Sequence, residues 1–189
     1  MKIFITLILV TAQIIARNPD AVSRNGMVVS SHKLASQIGI DVLRQGGNAI
    51  DAAIATGFAL AVVHPGAGNI GGGGFMVIRL ADGRVTTIDF REVAPSGAYR
   101  DMFLDDSMNV IEGKSWNTSW AAGVPGTVAG FGMAHEKFGS VNWKKLVRPA
   151  AGLAKNGFPI DFQSITAINH PYYQKYLTND VEAEKIFSR

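Results

Sequence analysis

Arg91 has the clearest chemical potential in this 189-residue sequence, because it stands between acids in the stretch Asp89-Phe90-Arg91-Glu92, where a predicted strand ends. Strand ends are common sites of chemistry, since the sheet holds the backbone rigid while side chains face a cavity. A planar guanidinium binds a carboxylate through two parallel hydrogen bonds. These residues alone leave open two interpretations of Arg91, a carboxylate-binding group or an internal ion pair with Asp89 or Glu92.

A glycine-rich loop precedes this stretch over residues 66–74 and ends in four consecutive glycines, Gly71 to Gly74. Residues 66–71 spell G-x-G-x-x-G, but a dinucleotide site needs a strand before this loop and a helix after it. Here the predicted order is reversed, which argues against a nucleotide. The four glycines suit either an anion-binding nest or a tight joint between a buried helix and a strand.

Other catalytic patterns are missing from the sequence. The four histidines lack metal-ligand spacing, there is no G-x-S-x-G, and the absence of cysteine excludes a thiolate metal site or a cysteine nucleophile. The net charge of +3 comes without a basic run, so no nucleic-acid partner is expected. The residues thus offer one candidate carboxylate-binding group without an evident nucleophile, metal or cofactor.

The chain divides into three predicted parts. Residues 1–16 carry one lysine, an apolar run and small residues, as in a secretory signal peptide, and the run is short for a bilayer span. We therefore expect export and no stable membrane anchor, with an uncleaved anchor or a buried first strand as alternatives. Residues 17–25 are a predicted linker, and residues 26–189 one domain.

Periodicity and turn signals predict the elements that position Arg91. Residues 27–30 read as a strand; a helix follows over 33–45, with Ser31 as its cap and Leu34, Ile38 and Val42 as its buried stripe. Asn48 caps an apolar helix over 49–63 that we expect to be buried on all sides. The remaining predictions are a hairpin of strands 75–80 and 84–90, irregular chain over 96–124, helices from 126 to 138 and over 142–156 with a break at Pro149, and further helices from 162 and over 180–187. This order indicates an α+β fold with antiparallel pairing.

Together, several segments resemble the N-terminal part of the γ-glutamyltranspeptidase family, bacterial type, over roughly residues 26–168. The segments are Gly26 to His32, Leu34 to Ser36, Gly46 to Ala53, Ala67 to Phe75, Asp89 to Pro95, Arg100 to Asp106 and Gly123 to Gly130. The resemblance implies an N-terminal-nucleophile hydrolase with a four-layer αββα sandwich, of which residues 26–189 are a truncated part of the large subunit. It also implies a precursor that cleaves itself, with the small subunit as partner.

The same resemblance implies the chemistry. A threonine expected beyond Arg189 attacks glutathione or another γ-glutamyl compound, and an acceptor amino acid, peptide or water takes the glutamyl group. Arg91 matches the arginine that binds the α-carboxylate of the glutamyl group, the four glycines become a joint near the site, and no cofactor is required. The expected location is periplasmic or secreted, and this chain alone is expected to be inactive. Two alternatives stay open: a cephalosporin (glutaryl) acylase-like amidohydrolase, and a catalytically silent glutamyl-binding relative.

Overall fold

The helices and the one hairpin follow each other along the chain as predicted, in a computed structural model that describes residues 21–177 and 180–187. The helices are α1 (Lys33–Arg44), α2 (Ala49–Val63), α3 (Thr127–Phe138), α4 (Trp143–Asn156), α5 (Phe162–Ile168), α6 (Pro171–Leu177) and α7 (Val181–Phe187). Strands β1 (Phe75–Arg79) and β2 (Val85–Asp89) lie between α2 and α3, and a short 3-10 turn spans Ser119–Ala121.

The start of α1 differs from the prediction in its capping residue. His32, not Ser31, is the N-cap, and its Nδ1 accepts a hydrogen bond from the Leu34 backbone N–H at 3.2 Å. His32 is buried with 9% exposure, so its ring is held where it can reach this N–H, whereas Ser31 is exposed. The helix ends as predicted, with Gly46 at a φ of +89°, a conformation that glycine adopts without strain.

The predicted strand over residues 27–30 is wrong. The stretch has no ladder partner among the described residues, because the only sheet there is the pair β1–β2. Burial nevertheless alternates along it, with Val29 82% exposed and Val28 packed against the core. Side-chain burial therefore alternates as it does in a strand, but without a neighbouring strand the stretch forms no hydrogen-bonded ladder.

Helix α2 is the centre of the core. Ile54, Ala55 and Ala59 are fully buried, and the helix packs against α1, α3 and α4. Phe58 meets Phe131 of α3 edge to face, with ring centroids 5.3 Å apart. The prediction of burial on all sides is wrong at the N-terminal end, where Ala49 and Ala53 remain exposed because no described element covers that side.

The hairpin buries one face and exposes the other. The strands pair antiparallel with Phe75 opposite Asp89 and Val77 opposite Thr87. Ile78 and Ile88 are each 5% exposed on the face that packs into the core. On the opposite face lies an uncovered apolar strip, defined here as Phe75, Val77 and Val85, whose side chains are 66%, 73% and 63% exposed. The hairpin accordingly has apolar side chains on both faces.

The predicted break at Pro149 is wrong, since α4 runs unbroken from Trp143 to Asn156 with the proline inside it. Proline removes one helical N–H and crowds the preceding turn. The turns on either side are anchored by Leu146, fully buried, and Ala150, 5% exposed, both in the main core cluster. Tertiary packing therefore overrides the local preference.

Helices together with one small antiparallel sheet make this an α+β arrangement. The predicted signal peptide over 1–16 and residues 17–20 of the predicted linker over 17–25 lie outside the described residues. Within the described part of the chain, no helix is both long enough and apolar enough to cross a membrane.

Candidate functional site

Arg91 leaves β2 on the uncovered face of the hairpin. The Asp89 carboxylate accepts a hydrogen bond from the Arg91 backbone N–H at 3.0 Å, which turns the chain directly after the strand. The guanidinium carbon then lies 5.9 Å from the centre of the Phe75 ring, a cation–π distance. The end of β2 and the start of β1 thus fix the direction of this side chain together.

Glu92 is the acid that pairs with Arg91. Its Oε2 lies 3.1 Å from Arg91 Nε, so the internal ion pair considered from the sequence is present. That oxygen is buried and has no hydrogen-bond donor among the described residues, which means that the contact lacks hydrogen-bond geometry. The Arg91 side chain keeps 61% of its surface exposed. The ion pair therefore leaves the guanidinium accessible to a second carboxylate.

The four glycines form a joint. Gly72 N–H donates to Asn69 Oδ1 at 3.0 Å and Gly74 N–H to the Phe90 carbonyl at 3.3 Å, so these two amides are not available to an anion. The Gly72 carbonyl accepts from the N–H groups of Gly126 and Thr127, at 2.8 and 3.0 Å, where α3 begins. Of the two interpretations drawn from the sequence, these bonds favour the joint over the nest.

Close backbone approach explains why glycines surround the segment that carries Arg91. A Cβ on Gly73 would lie 2.5 Å from the Phe90 carbonyl oxygen and 2.7 Å from the Glu92 nitrogen. A Cβ on Gly126 would lie 2.1 Å from that same oxygen, and one on Gly130 would lie 2.2 Å from the Phe90 ring. Any side chain at these positions would push the segment away.

A pocket that the sequence did not indicate lies in the irregular stretch after the hairpin. It has a volume of about 230 Å³ and is lined by Pro95, Gly97, Ala98, Met102, Ser119, Trp120 and Ala122. This volume is below the roughly 300–1,000 Å³ of ordinary ligand sites. Arg91 is not among its lining residues, and the only sequence signal was the presence of two tryptophans in a polar stretch.

One acid–histidine pair lies apart from Arg91. His32 Nε2 is 3.8 Å from Asp161 Oδ2, and hydrogen bonds from Ser164 lower the pKa of the Asp161 carboxyl below its ordinary value. The described residues contain no cluster of three or more histidine or acidic side chains arranged to hold a metal ion.

The sequence matches the profile of one protein family over residues 35–189, and that family is described as gamma-glutamyltranspeptidase. The match covers most of the chain.

The chain belongs to the γ-glutamyltranspeptidase family.

Individual relatives agree with this assignment. The chain is 48% identical to a glutathione hydrolase proenzyme of Escherichia coli over 165 residues, which cover 87% of the chain and 28% of that protein. It is 55% identical to a glutathione hydrolase proenzyme of a Pseudomonas strain over 139 residues, which cover 74% of the chain and 24% of that protein. The chain thus spans about a quarter of the length of these curated relatives.

A solved γ-glutamyltranspeptidase shares the fold. The structure of the Helicobacter pylori enzyme superimposes with a TM-score of 0.84 at 47% identity, over 88% of this chain and 47% of that one. In this chain, Arg91 is brought together with Phe75 and Glu92 at the end of the hairpin.

Proposed function

We propose that this chain is part of the large subunit of an exported bacterial enzyme that transfers or hydrolyses γ-glutamyl groups. In this proposal the protein is made as a precursor that cleaves itself, and the small subunit provides an N-terminal threonine. The substrates are glutathione and other γ-glutamyl compounds. Membership of the γ-glutamyltranspeptidase family supports this assignment, as do the names of the relatives, which are glutathione hydrolase proenzymes.

The reaction is an acyl transfer in two steps. The threonine hydroxyl attacks the γ-carbonyl carbon, the amide C–N bond breaks, and the hydroxyl proton passes through the threonine α-amine to the leaving amine. Water or the amine of an acceptor amino acid or peptide then breaks the ester and restores the hydroxyl. No metal or organic cofactor takes part in this scheme.

The contribution of the described residues is substrate binding, and Arg91 carries it. The observation that supports this role is an exposed guanidinium at a rigid strand end, in cation–π contact with Phe75 and without a hydrogen bond to Glu92 Oε2. Asp89 fixes the backbone at its base by accepting from the Arg91 N–H. A carboxylate approaching the open side of Arg91 forms two parallel hydrogen bonds. We assign this carboxylate as the α-carboxylate of the glutamyl group.

The uncovered apolar strip fits the same proposal. Phe75, Val77 and Val85 lie on the face from which Arg91 emerges. A second sheet from the rest of the precursor, packed on this strip, would complete the four-layer αββα sandwich and place the nucleophile opposite the guanidinium. In the proposal the active site therefore lies between the two sheets.

Replacing Arg91 by lysine tests the assignment in the complete, processed protein. Lysine keeps the charge but cannot form the bidentate pair, so we expect KM for a γ-glutamyl donor to rise by about 30- to 700-fold, equivalent to about 2–4 kcal/mol. Arg84→Lys is the matched control, because Arg84 is an exposed arginine on the same hairpin whose Nε also pairs with a carboxylate, that of Asp82, at 2.7 Å.

An unchanged KM in Arg91→Lys would remove Arg91 from the substrate site. Comparing γ-glutamyl with glutaryl donors separates the proposal from a glutaryl acylase, since equal or better turnover of the glutaryl amide would favour the acylase. Reading the coding sequence beyond codon 189 separates it from a silent binding protein. A threonine at a self-processing motif supports the enzyme, and its loss supports the binder.

A further inference from the structure

The hydrogen bonds of Asn69 connect the glycine loop to the start of α3. Its Oδ1 accepts from Thr127 Oγ1 at 2.6 Å and from the Gly72 N–H at 3.0 Å, which uses both lone pairs of that oxygen. Thr127 is 4% exposed, whereas Asn69 is an exposed loop residue. A single side-chain oxygen therefore joins two segments that are 58 residues apart in sequence.

This connection lies directly beside the backbone that carries Arg91. Gly73 follows Gly72, and Gly126 precedes Thr127, and both glycines lie so close to the Phe90 carbonyl that neither position has room for a Cβ. The backbone from Phe90 to Glu92 thus runs between two segments that are joined by the Asn69–Thr127 side-chain bond and by two backbone bonds to the Gly72 carbonyl. If the side-chain bond is lost, the two backbone bonds remain, but the loop loses its contact with the Thr127 side chain and the base of the Arg91 side chain can shift.

A purely structural cap would look different. Gly126 is the N-cap of α3 and offers no side-chain bond, and its N–H and that of Thr127 both donate to the Gly72 carbonyl. The Thr127 hydroxyl donates to Asn69 in the loop and therefore caps no N–H of its own helix.

We propose that Asn69 and Thr127 are positioning residues for Arg91. The proposal rests on the proposed function, since it assumes that Arg91 binds the α-carboxylate of the donor. Their hydrogen bond helps to hold the glycine loop against α3. The loop and the helix together fix the position of the Phe90–Glu92 backbone, and this position directs the guanidinium toward the substrate.

The test uses Thr127→Val, Thr127→Ser and Asn69→Ala in the complete, processed protein. Thr127→Val and Asn69→Ala each remove the hydrogen bond, so we expect each to raise KM for a γ-glutamyl donor by about 5- to 10-fold and to change kcat by less than about twofold. Thr127→Ser retains the hydroxyl and restores KM. The double variant resembles Asn69→Ala, because that single variant already lacks the bond to Thr127 as well as the bond to the Gly72 N–H.

Two controls separate positioning from folding. Thr56→Val alters another buried threonine, 6% exposed, whose hydroxyl has no hydrogen-bond partner among the described residues, so we expect wild-type kinetics. A 4-aminobutanoyl amide lacks the α-carboxylate, so its weak turnover should change by less than about twofold in the positioning variants.

Unchanged KM in both Asn69→Ala and Thr127→Val, with only a lower melting temperature, would overturn the positioning role. If Thr127→Val does not fold, Asn69→Ala decides alone, because its side chain is exposed. Arg91→Lys is measured in parallel. A large effect there with none in the positioning variants rejects this inference and leaves the proposed function standing, whereas no effect in Arg91→Lys rejects the substrate site itself.

Discussion

The position of the Arg91 side chain depends on neighbouring residues that have no reactive groups. Phe90 places its carbonyl between Gly73 and Gly126, and its ring meets Phe131 with centroids 5.9 Å apart. Because Gly130 adds the third side of this enclosure, the geometry of one guanidinium is set by residues whose essential property is the lack of a side chain.

Two glycines of α3 provide a matched test of this enclosure. A Cβ at Gly130 would lie 2.2 Å from the Phe90 ring, whereas one at Gly132 meets nothing within 4 Å. We expect Gly130→Ala to destabilise the protein by about 1–3 kcal/mol. Gly132→Ala should stabilise it by about 0.5–1 kcal/mol, because alanine favours the helix. Urea unfolding of the complete protein measures both, and equal effects would contradict the packing described.

A buried carboxylate anchors the first turn of helix α2. Asp51 is fully buried and accepts hydrogen bonds from the Asn48 N–H at 3.0 Å and from the Ser140 hydroxyl at 2.6 Å. Asn48 Nδ2 also donates to the Phe138 carbonyl at 2.7 Å. The first turn of α2 is thereby joined to the end of α3, so these hydrogen bonds link two helices of the core.

The pKa of Asp51 makes this fastening dependent on pH. Burial alone raises that pKa, but hydrogen bonds from Ser140, Asn48 and Val141 outweigh burial and lower it below the ordinary value. A lowered folded-state pKa adds stability above the unfolded pKa of about 3.9, and this stability is lost as pH falls through the folded value. We expect Asp51→Asn to cost about 1–3 kcal/mol at pH 7 and less below about pH 4.

Urea unfolding of the complete protein at both pH values measures this difference. Asp106→Asn, which alters an exposed acid in the irregular stretch, is the control and should change stability little at either pH. A cost of Asp51→Asn that is the same at neutral and acidic pH would show that the carboxylate charge does not contribute.

The elements that local signals specify were predictable from the sequence. The Asn48 cap with Asp51 three residues on, the hairpin around Asp82-Gly83 and the stop at Gly46 all depend on neighbouring residues. The wrong predictions concern features that are set by residues distant in sequence. They are the strand over residues 27–30, the cap of α1 and the break at Pro149. A ladder partner, the burial of His32 and the packing around Leu146 are not contained in a local window.

The candidate site divides in the same way. Arg91 was a candidate from the sequence because its residue type and its place at a strand end are both visible there. The Asn69–Thr127 bond was not, since 58 residues separate its partners and neither side chain is reactive. A run of glycines indicates that another backbone segment packs closely against it, but it does not identify that segment.

The described part of the molecule exposes several large apolar side chains. Besides the uncovered strip of Phe75, Val77 and Val85, Trp116 and Trp120 in the irregular stretch are 64% and 50% exposed. A strip of exposed apolar side chains marks a surface against which protein packs. In the proposed enzyme the remainder of the precursor supplies that cover.

The 189-residue chain on its own is therefore expected to aggregate or to bind the dye ANS strongly, and the complete precursor to do neither. Val77→Lys should reduce dye binding by the isolated chain and destabilise the complete precursor. Val22→Lys is the control, since Val22 is 88% exposed and lies outside the hairpin. A sharp melt of a soluble monomer without dye binding would contradict the expectation.

The fastening of α2 by Ser140 also has a consequence for synthesis on the ribosome. Asp51 and Ser140 are 89 residues apart, and at about 5–20 residues per second this length takes about 4–18 s to translate. During that interval the apolar helix α2 has been made, while the serine that bonds to its first turn has not. Nascent chains of this protein accordingly have a period in which the hydrogen bonds from Ser140 to Asp51 cannot form, and they form only after residue 140 has emerged.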